Sequence, residues 1–70
     1  MSKVIISNTD KEYLTNNFWD IEEIIGALEQ LFPNANKIRY CSESDDTHII
    51  VEVDEIAYEV SCCGEVTEVK

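Results

Sequence analysis

Ile21, Ile24, Ile25, Leu28 and Leu31 recur at steps of three and four residues, the spacing that lines one face of an α-helix. The spacing predicts one amphipathic helix. Asp20 is placed to cap its first turn, with Glu23 three residues on to complete a capping box and Trp19 set against Ile24 as a hydrophobic staple. Asn17 is a competing cap. Pro33 disfavours helix for the residue before it and cannot continue the backbone ladder, which ends the helix near Leu31 or Phe32. The opposite face carries Glu22, Glu23, Glu29 and Gln30 and reads as a solvated face.

Past Pro33 the apolar residues alternate instead. A two-residue loop at Asp54 and Glu55 sets Val53 against Ile56, Val51 against Tyr58, Ile49 against Val60 and Thr47 against Cys62, nearly all apolar pairs on one side. A four-residue loop from Glu43 to Asp46 sets Tyr40 against Ile49 and Ile38 against Val51, which carries the same side onto a third strand. On the other side this register sets Lys37 against Glu52, Arg39 against Ile50, Cys41 against His48 and His48 against Ser61. A last strand follows Cys63 and Gly64. A two-residue loop there would oppose Glu59 and Glu68, so a bulge at Gly64 is expected to shift the pairing.

The expected sheet is an antiparallel meander over residues 37 to 43, 47 to 53, 56 to 62 and 65 to 69. Val4, Ile5 and Ile6 form a short β-branched run closed by Ser7, Asn8, Thr9 and Asp10, and are expected as a first strand at an edge or beside the meander. Residues 9 to 17 stay open: Thr9 with Glu12 resembles a capping box for a short helical turn, while Glu12 to Thr15 can equally return as a strand. The fold class is α+β, a two-layer sandwich in which one helix packs on one face of a four- to five-stranded, mainly antiparallel sheet.

Seventy residues leave room for a single core, so residues 1 to 70 are one domain. Size scaling puts the folded surface near ~4,400 Å², with about 60% of the unfolded chain's surface buried. The apolar share of 44% is ordinary for a folded domain. Charge is not ordinary. Fifteen Asp and Glu against five Lys and Arg give −10, a sign that repels nucleic acid and anionic membrane and favours basic partners. No apolar stretch approaches the ~20 residues of a membrane helix, and the start lacks the apolar centre of a signal peptide. Cys41, Cys62 and Cys63 are odd in number and two are adjacent, a poor disulfide framework. Free thiols and a cytoplasmic location are expected.

The expected register gathers Cys41, His48, Cys63 and Asp46, a mixture of donors that zinc would use. Their spacing matches no common zinc motif, and adjacent Cys62 and Cys63 on a strand would point to opposite faces. A Cys41–Cys63 disulfide would have to span two strand spacings, about 9.5 Å, against the ~7 Å a bridge tolerates. A Cys41–His48 nucleophile and base pair would sit on an open acidic surface with no oxyanion donor. The acids at Glu43, Asp45, Asp46 and at Glu52, Asp54, Glu55 lack the EF-hand spacing, and Gly26 and Gly64 cannot build a phosphate cradle. No catalytic residue, metal or cofactor is assigned.

Acidity remains, and it is uneven. Residues 1 to 40 hold six acids and four bases, whereas residues 41 to 70 hold nine acids and only Lys70. Glu43, Asp45, Asp46, Glu52, Asp54, Glu55 and Glu59 are therefore the candidate partner-binding residues, fixed negative charges that could stand in for phosphates in a basic groove. In size and charge alone the chain resembles small acidic inhibitors of phages and mobile elements, which implies a non-enzymatic protein that blocks a DNA- or RNA-binding protein. The expected partner is a basic protein surface, with no direct nucleic acid and no membrane. The plainer reading is that acidity keeps a small domain soluble. The alternatives are a small Cys/His metal-binding domain, or a homodimer joined through surface aromatics such as Trp19 and Tyr13 rather than a monomer.

Overall fold

The computed structural model describes residues 4–69; residues 1–3, part of the start read for a leader, and residue 70 lie outside them. Two helices cover one face of a four-stranded antiparallel sheet, in the order α1 (Asn8–Asn16), α2 (Ile21–Leu31), β1 (Ile38–Asp45), β2 (His48–Val53), β3 (Ile56–Ser61) and β4 (Val66–Glu68). The strands lie side by side in chain order. The α+β meander is thus as the alternation predicts. The surface, 4589 Å², is close to the ~4,400 Å² that chain mass implies.

The open segment resolves as α1. Its start is marked by Ser7 rather than Thr9: the Ser7 hydroxyl accepts from the Asp10 backbone N–H at 3.1 Å and donates to the Asp10 carboxylate at 2.9 Å, the local side-chain bonding that favours serine at helix starts. At the other end both the backbone N–H and Nδ2 of Asn17 donate to the Tyr13 carbonyl, at 3.1 and 2.9 Å. Only Leu14 of this helix is fully buried. The expected first strand does not form. Val4 and Ile6 pack against the core while Ile5 is 95% exposed, so the run keeps a strand's alternation without a ladder. α1 begins two residues after Ile6, which leaves the run too short to pair.

α2 matches its expected limits. Asp20 accepts from the Glu23 backbone N–H at 3.4 Å, and the Phe32 N–H closes the last turn on the Leu28 carbonyl at 2.8 Å, one residue before Pro33. Ile24 and Leu28 are fully buried, whereas Glu22, Glu23, Glu29 and Gln30 are exposed. The box is half closed, because the Glu23 carboxylate instead accepts from the Tyr13 hydroxyl and so ties α2 to α1. Trp19 is 61% exposed and meets the buried Phe18 edge-on, with ring centroids 4.6 Å apart, in place of the expected staple.

The β2–β3 hairpin has the expected register, with Val53 opposite Ile56, Val51 opposite Tyr58 and Ile49 opposite Val60. Asp54 and Glu55 adopt φ of 50° and 73°, the paired positive values of a type I′ turn, whose twist suits a two-residue hairpin. The β1–β2 pairing is a correction. Its loop is only Asp46 and Thr47, with Asp45 opposite His48, and bulges lie between Tyr40 and Ser42 and between Glu43 and Asp45. Ile38 therefore faces Val53 and Tyr40 faces Val51, two positions from where a four-residue loop would put them. A slip of two preserves the side on which each residue lies. The apolar face survives the shift.

Gly64 shifts the last strand as expected. With φ of 84° it completes a turn in which Ser61 N–H donates to the Glu65 carbonyl at 2.9 Å, so Glu59 lies opposite Thr67 and the Glu59–Glu68 clash is avoided. Leu14, Phe18, Ile24 and Leu28 from the helical layer meet Ile49, Val51, Val53, Tyr58, Val60 and Val66 from the sheet in one core.

Candidate functional site

The core takes one face of the sheet. The other face presents Arg39, Ser42 and Asp45 on β1, His48, Ile50 and Glu52 on β2, Ala57, Glu59 and Ser61 on β3 and Thr67 on β4, as the pairing and the strand alternation require. Three of the seven candidate acids, Asp45, Glu52 and Glu59, belong to this face. Asp46 and Glu55 occupy the two turns, Asp54 shares the turn with Glu55, and Glu43 lies opposite Ile49 on the core side of the exposed β1 edge. All but Glu59, which sits mid-strand opposite Ile50, fall toward the ends of the sheet.

At the β1–β2 end Asp45 is built into the turn. Its Oδ1 accepts from the Thr47 backbone N–H at 2.8 Å, lies 2.8 Å from the Thr47 hydroxyl and 3.1 Å from His48 Nδ1. The Thr47 N–H and hydroxyl, followed by His48, hold this carboxyl down to about 2, from an ordinary 3.8. An aspartate that bonds to the backbone two residues on is a turn former in its own right. This explains the short loop.

At the other end Asp54 is equally occupied. Its carboxylate accepts from the backbone N–H groups of Asn36, at 2.9 and 3.1 Å, and of Lys37 at 2.9 Å, while its own N–H donates to the Lys37 carbonyl at 2.9 Å. Glu52 accepts from Arg39 through Nε at 2.9 Å and pairs with Nη2 at 2.8 Å. A depression of about 630 Å³ lies between Asn36, Lys37, Arg39, Glu52, Asp54 and Glu55. Its lining mixes both signs of charge.

Glu43, Asp46, Glu55 and Glu59 differ from these three. None of the four makes a side-chain hydrogen bond or ion pair among the described residues. Of the seven candidates they are the carboxylates that the chain itself leaves unengaged, Glu59 being half-buried and the other three exposed. Their division from the structural acids was not legible, because it depends on which backbone N–H groups each turn leaves nearby.

The expected cysteine and histidine group is not assembled. Cys41 sits at the first bulge of β1 and takes no register partner, while His48 lies opposite Asp45 and Ser61. Arg39 lies opposite Glu52 rather than Ile50, and the Lys37 backbone meets Asp54 rather than Glu52. Among the described residues no group of three or more His, Cys, Asp or Glu converges in a way that could hold a metal ion. Cys41, Cys62 and Cys63 are free thiols, Cys62 half-buried and the other two exposed. Among the described residues no helix is long and apolar enough to cross a membrane. The chain matches no protein-family model, no curated protein and no solved structure.

Proposed function

We propose that this chain is a small, acidic, non-enzymatic interaction protein that docks on a basic protein surface, in the manner of an inhibitor that occupies a nucleic-acid groove. One observation carries the reading: Glu43, Asp46, Glu55 and Glu59 are held on the strands and hairpin turns with no cation against them among the described residues. Five Lys and Arg cannot neutralise fifteen carboxylates, and two of those bases are already engaged, Lys11 with Glu65 and Arg39 with Glu52. The remaining field attracts cationic partners and speeds their encounter. The uncovered sheet face, with Ile50 between Glu52 and His48, supplies a patch on which such a partner would rest. Inhibition of this kind would need only rigid placement of charge.

The test is competition. The protein, immobilised at low salt, is exposed to a set of basic nucleic-acid-binding domains, and bound domains are challenged with duplex DNA or RNA. Displacement by nucleic acid and release by moderate salt are the expected results. Retention of none of the domains, or binding indifferent to nucleic acid, overturns the reading.

A further inference from the structure

We propose that the groove between α1 and α2, on the outer side of the helical layer, is a docking site for a basic amphipathic α-helix of a protein partner. It starts from a glycine that the fold does not require. Of the chain's two glycines, Gly64 is fixed by the Lys11 backbone against it and by its positive φ. Gly26 is not. It lies in the middle of α2, where a β-carbon would meet no atom of the described residues within 4 Å beyond its own helix and chain neighbours. Glycine inside a helix is less stable than alanine at the same place, and nothing packed on Gly26 offsets that loss. The missing side chain leaves a hollow open to the outside.

A depression of about 490 Å³ covers this point, lined in part by Thr9, Asp10 and Tyr13 of α1 and by Gly26, Ala27 and Glu29 of α2. Its floor is apolar and its banks are acidic. Tyr13 is 40% exposed, and its ring stands as a fixed wall because its hydroxyl donates to the Glu23 carboxylate. Ridge-into-groove packing makes the furrow between two helices a seat for a third, and an amphipathic helix enters such a seat through apolar residues spaced by three and four. Charge selects the partner's sign. From Asn8 to Leu31 the chain has six acids and one base, Lys11, and Lys11 is turned to Glu65 in the β3–β4 turn. Glu22 and Glu29 make no side-chain hydrogen bond or ion pair among the described residues. A helix with an apolar seam flanked by arginine therefore meets a hollow at its seam and carboxylates on both sides. A second copy of the chain does not suit the groove, because both of its helices carry net negative charge. The site is independent of the carboxylates on the sheet.

The probe is a terminally blocked peptide of about 20 residues, long enough to hold a helix, with leucine at steps of three and four along one side, arginine on both flanks and alanine elsewhere. Its control carries proline at two central alanine positions, which breaks the helix and leaves the charge unchanged. Titration of the intact protein, followed by amide NMR, should move the signals of Thr9, Tyr13, Gly26, Ala27 and Glu29 together. The helical peptide should bind at least about tenfold more tightly than the control, because the proline penalty falls on the helical form. Gly26→Leu fills the hollow with a better helix former, so it should unfold at no lower urea concentration than wild type. It should bind the peptide about tenfold more weakly, the fold-change that overpacking of one contact implies. Glu29→Lys tests the bank without touching the floor: Glu29 is exposed, and its reversal should weaken binding about fivefold. Equal binding of the two peptides, signals that move on the sheet face instead of the groove, or wild-type affinity in folded Gly26→Leu or in Glu29→Lys each overturns the proposal.

Discussion

Gly64 lies with its α-carbon face against the backbone of Lys11: a β-carbon added there would meet the Lys11 carbonyl oxygen and stand 2.9 Å from its Cα. The β3–β4 turn and the middle of α1 therefore touch backbone to backbone, and the Lys11–Glu65 ion pair at 3.6 Å spans the same junction. Gly64 also holds φ of 84°, a conformation that costs other residues roughly 1–2 kcal/mol. Gly64→Ala adds that strain to an overpacking cost of about 1–3 kcal/mol. The expected result is a loss of at least about 2 kcal/mol, read as a lower urea midpoint with unchanged slope. A midpoint within error of wild type would show that α1 can move away freely.

How much of this was legible follows from which residues carried a pattern. β2 and β3 alternate cleanly from Ile49 to Val60, so their register and turn could be read directly. β1 could not, because Cys41, Ser42, Glu43 and Ser44 contain no strong hydrophobe and its pairing is decided by two bulges. α1 was ambiguous because its core contribution is Leu14 alone; its limits are set by Ser7 and Asn17, side chains that bond equally well in turns. The acids of the candidate surface were legible as charge. Their separation into Asp45 and Asp54, which hold turns, and Glu43, Asp46, Glu55 and Glu59, which do not, requires the backbone geometry.

The β2–β3 turn offers opposite predictions at adjacent positions. Glu55 holds φ of 73°, which glycine adopts without the ~1 kcal/mol or more that a β-carbon costs there. Glu55→Gly should raise stability by about 1 kcal/mol in thermal or urea unfolding. Asp54→Ala should lower it by about 1 kcal/mol, because the Asn36 and Lys37 N–H groups lose their acceptor. Asp54→Asn, which keeps an acceptor oxygen and tolerates the left-handed region, should lie between alanine and wild type. Equal effects of the two Asp54 variants would remove the hydrogen bonds as the cause.

Asp45 ties stability to acid pH. Its folded carboxyl titrates at about 2, below the ordinary 3.8, so the folded state favours the ionised form and its contribution is present above about pH 4. It is lost as pH falls from about 4 toward 2, where protonation removes the charge that Thr47 and His48 hold. Thr47→Val deletes the hydroxyl and keeps the backbone N–H, the larger cause of the shift. The Asp45 titration, followed by carboxyl NMR, should therefore move part of the way back toward 3.8 in this variant. An unmoved midpoint would show that the hydroxyl contributes nothing.

The division of the acids predicts how binding to a basic domain should respond to charge reversal. Each Glu-to-Lys or Asp-to-Lys change adds two units, so reversing Glu43, Asp46, Glu55 and Glu59 together takes the net charge from −10 to −2. These side chains hold no partner among the described residues, which leaves the turn bonds of Asp45 and Asp54 intact and the fold unaffected. At ~0.5 kcal/mol for each lost surface contact, the fourfold variant should bind about 30-fold more weakly at low salt. Added salt should weaken wild type more steeply than the variant, since screening acts only on charge that is still there. Reversal of Asp45 and Asp54 instead should lower the unfolding midpoint first, because both carboxylates satisfy backbone N–H groups. Titration calorimetry at two salt concentrations, with circular dichroism on each variant, separates the two effects. A fourfold variant that remains folded and binds as tightly as wild type would remove these carboxylates from the docking surface.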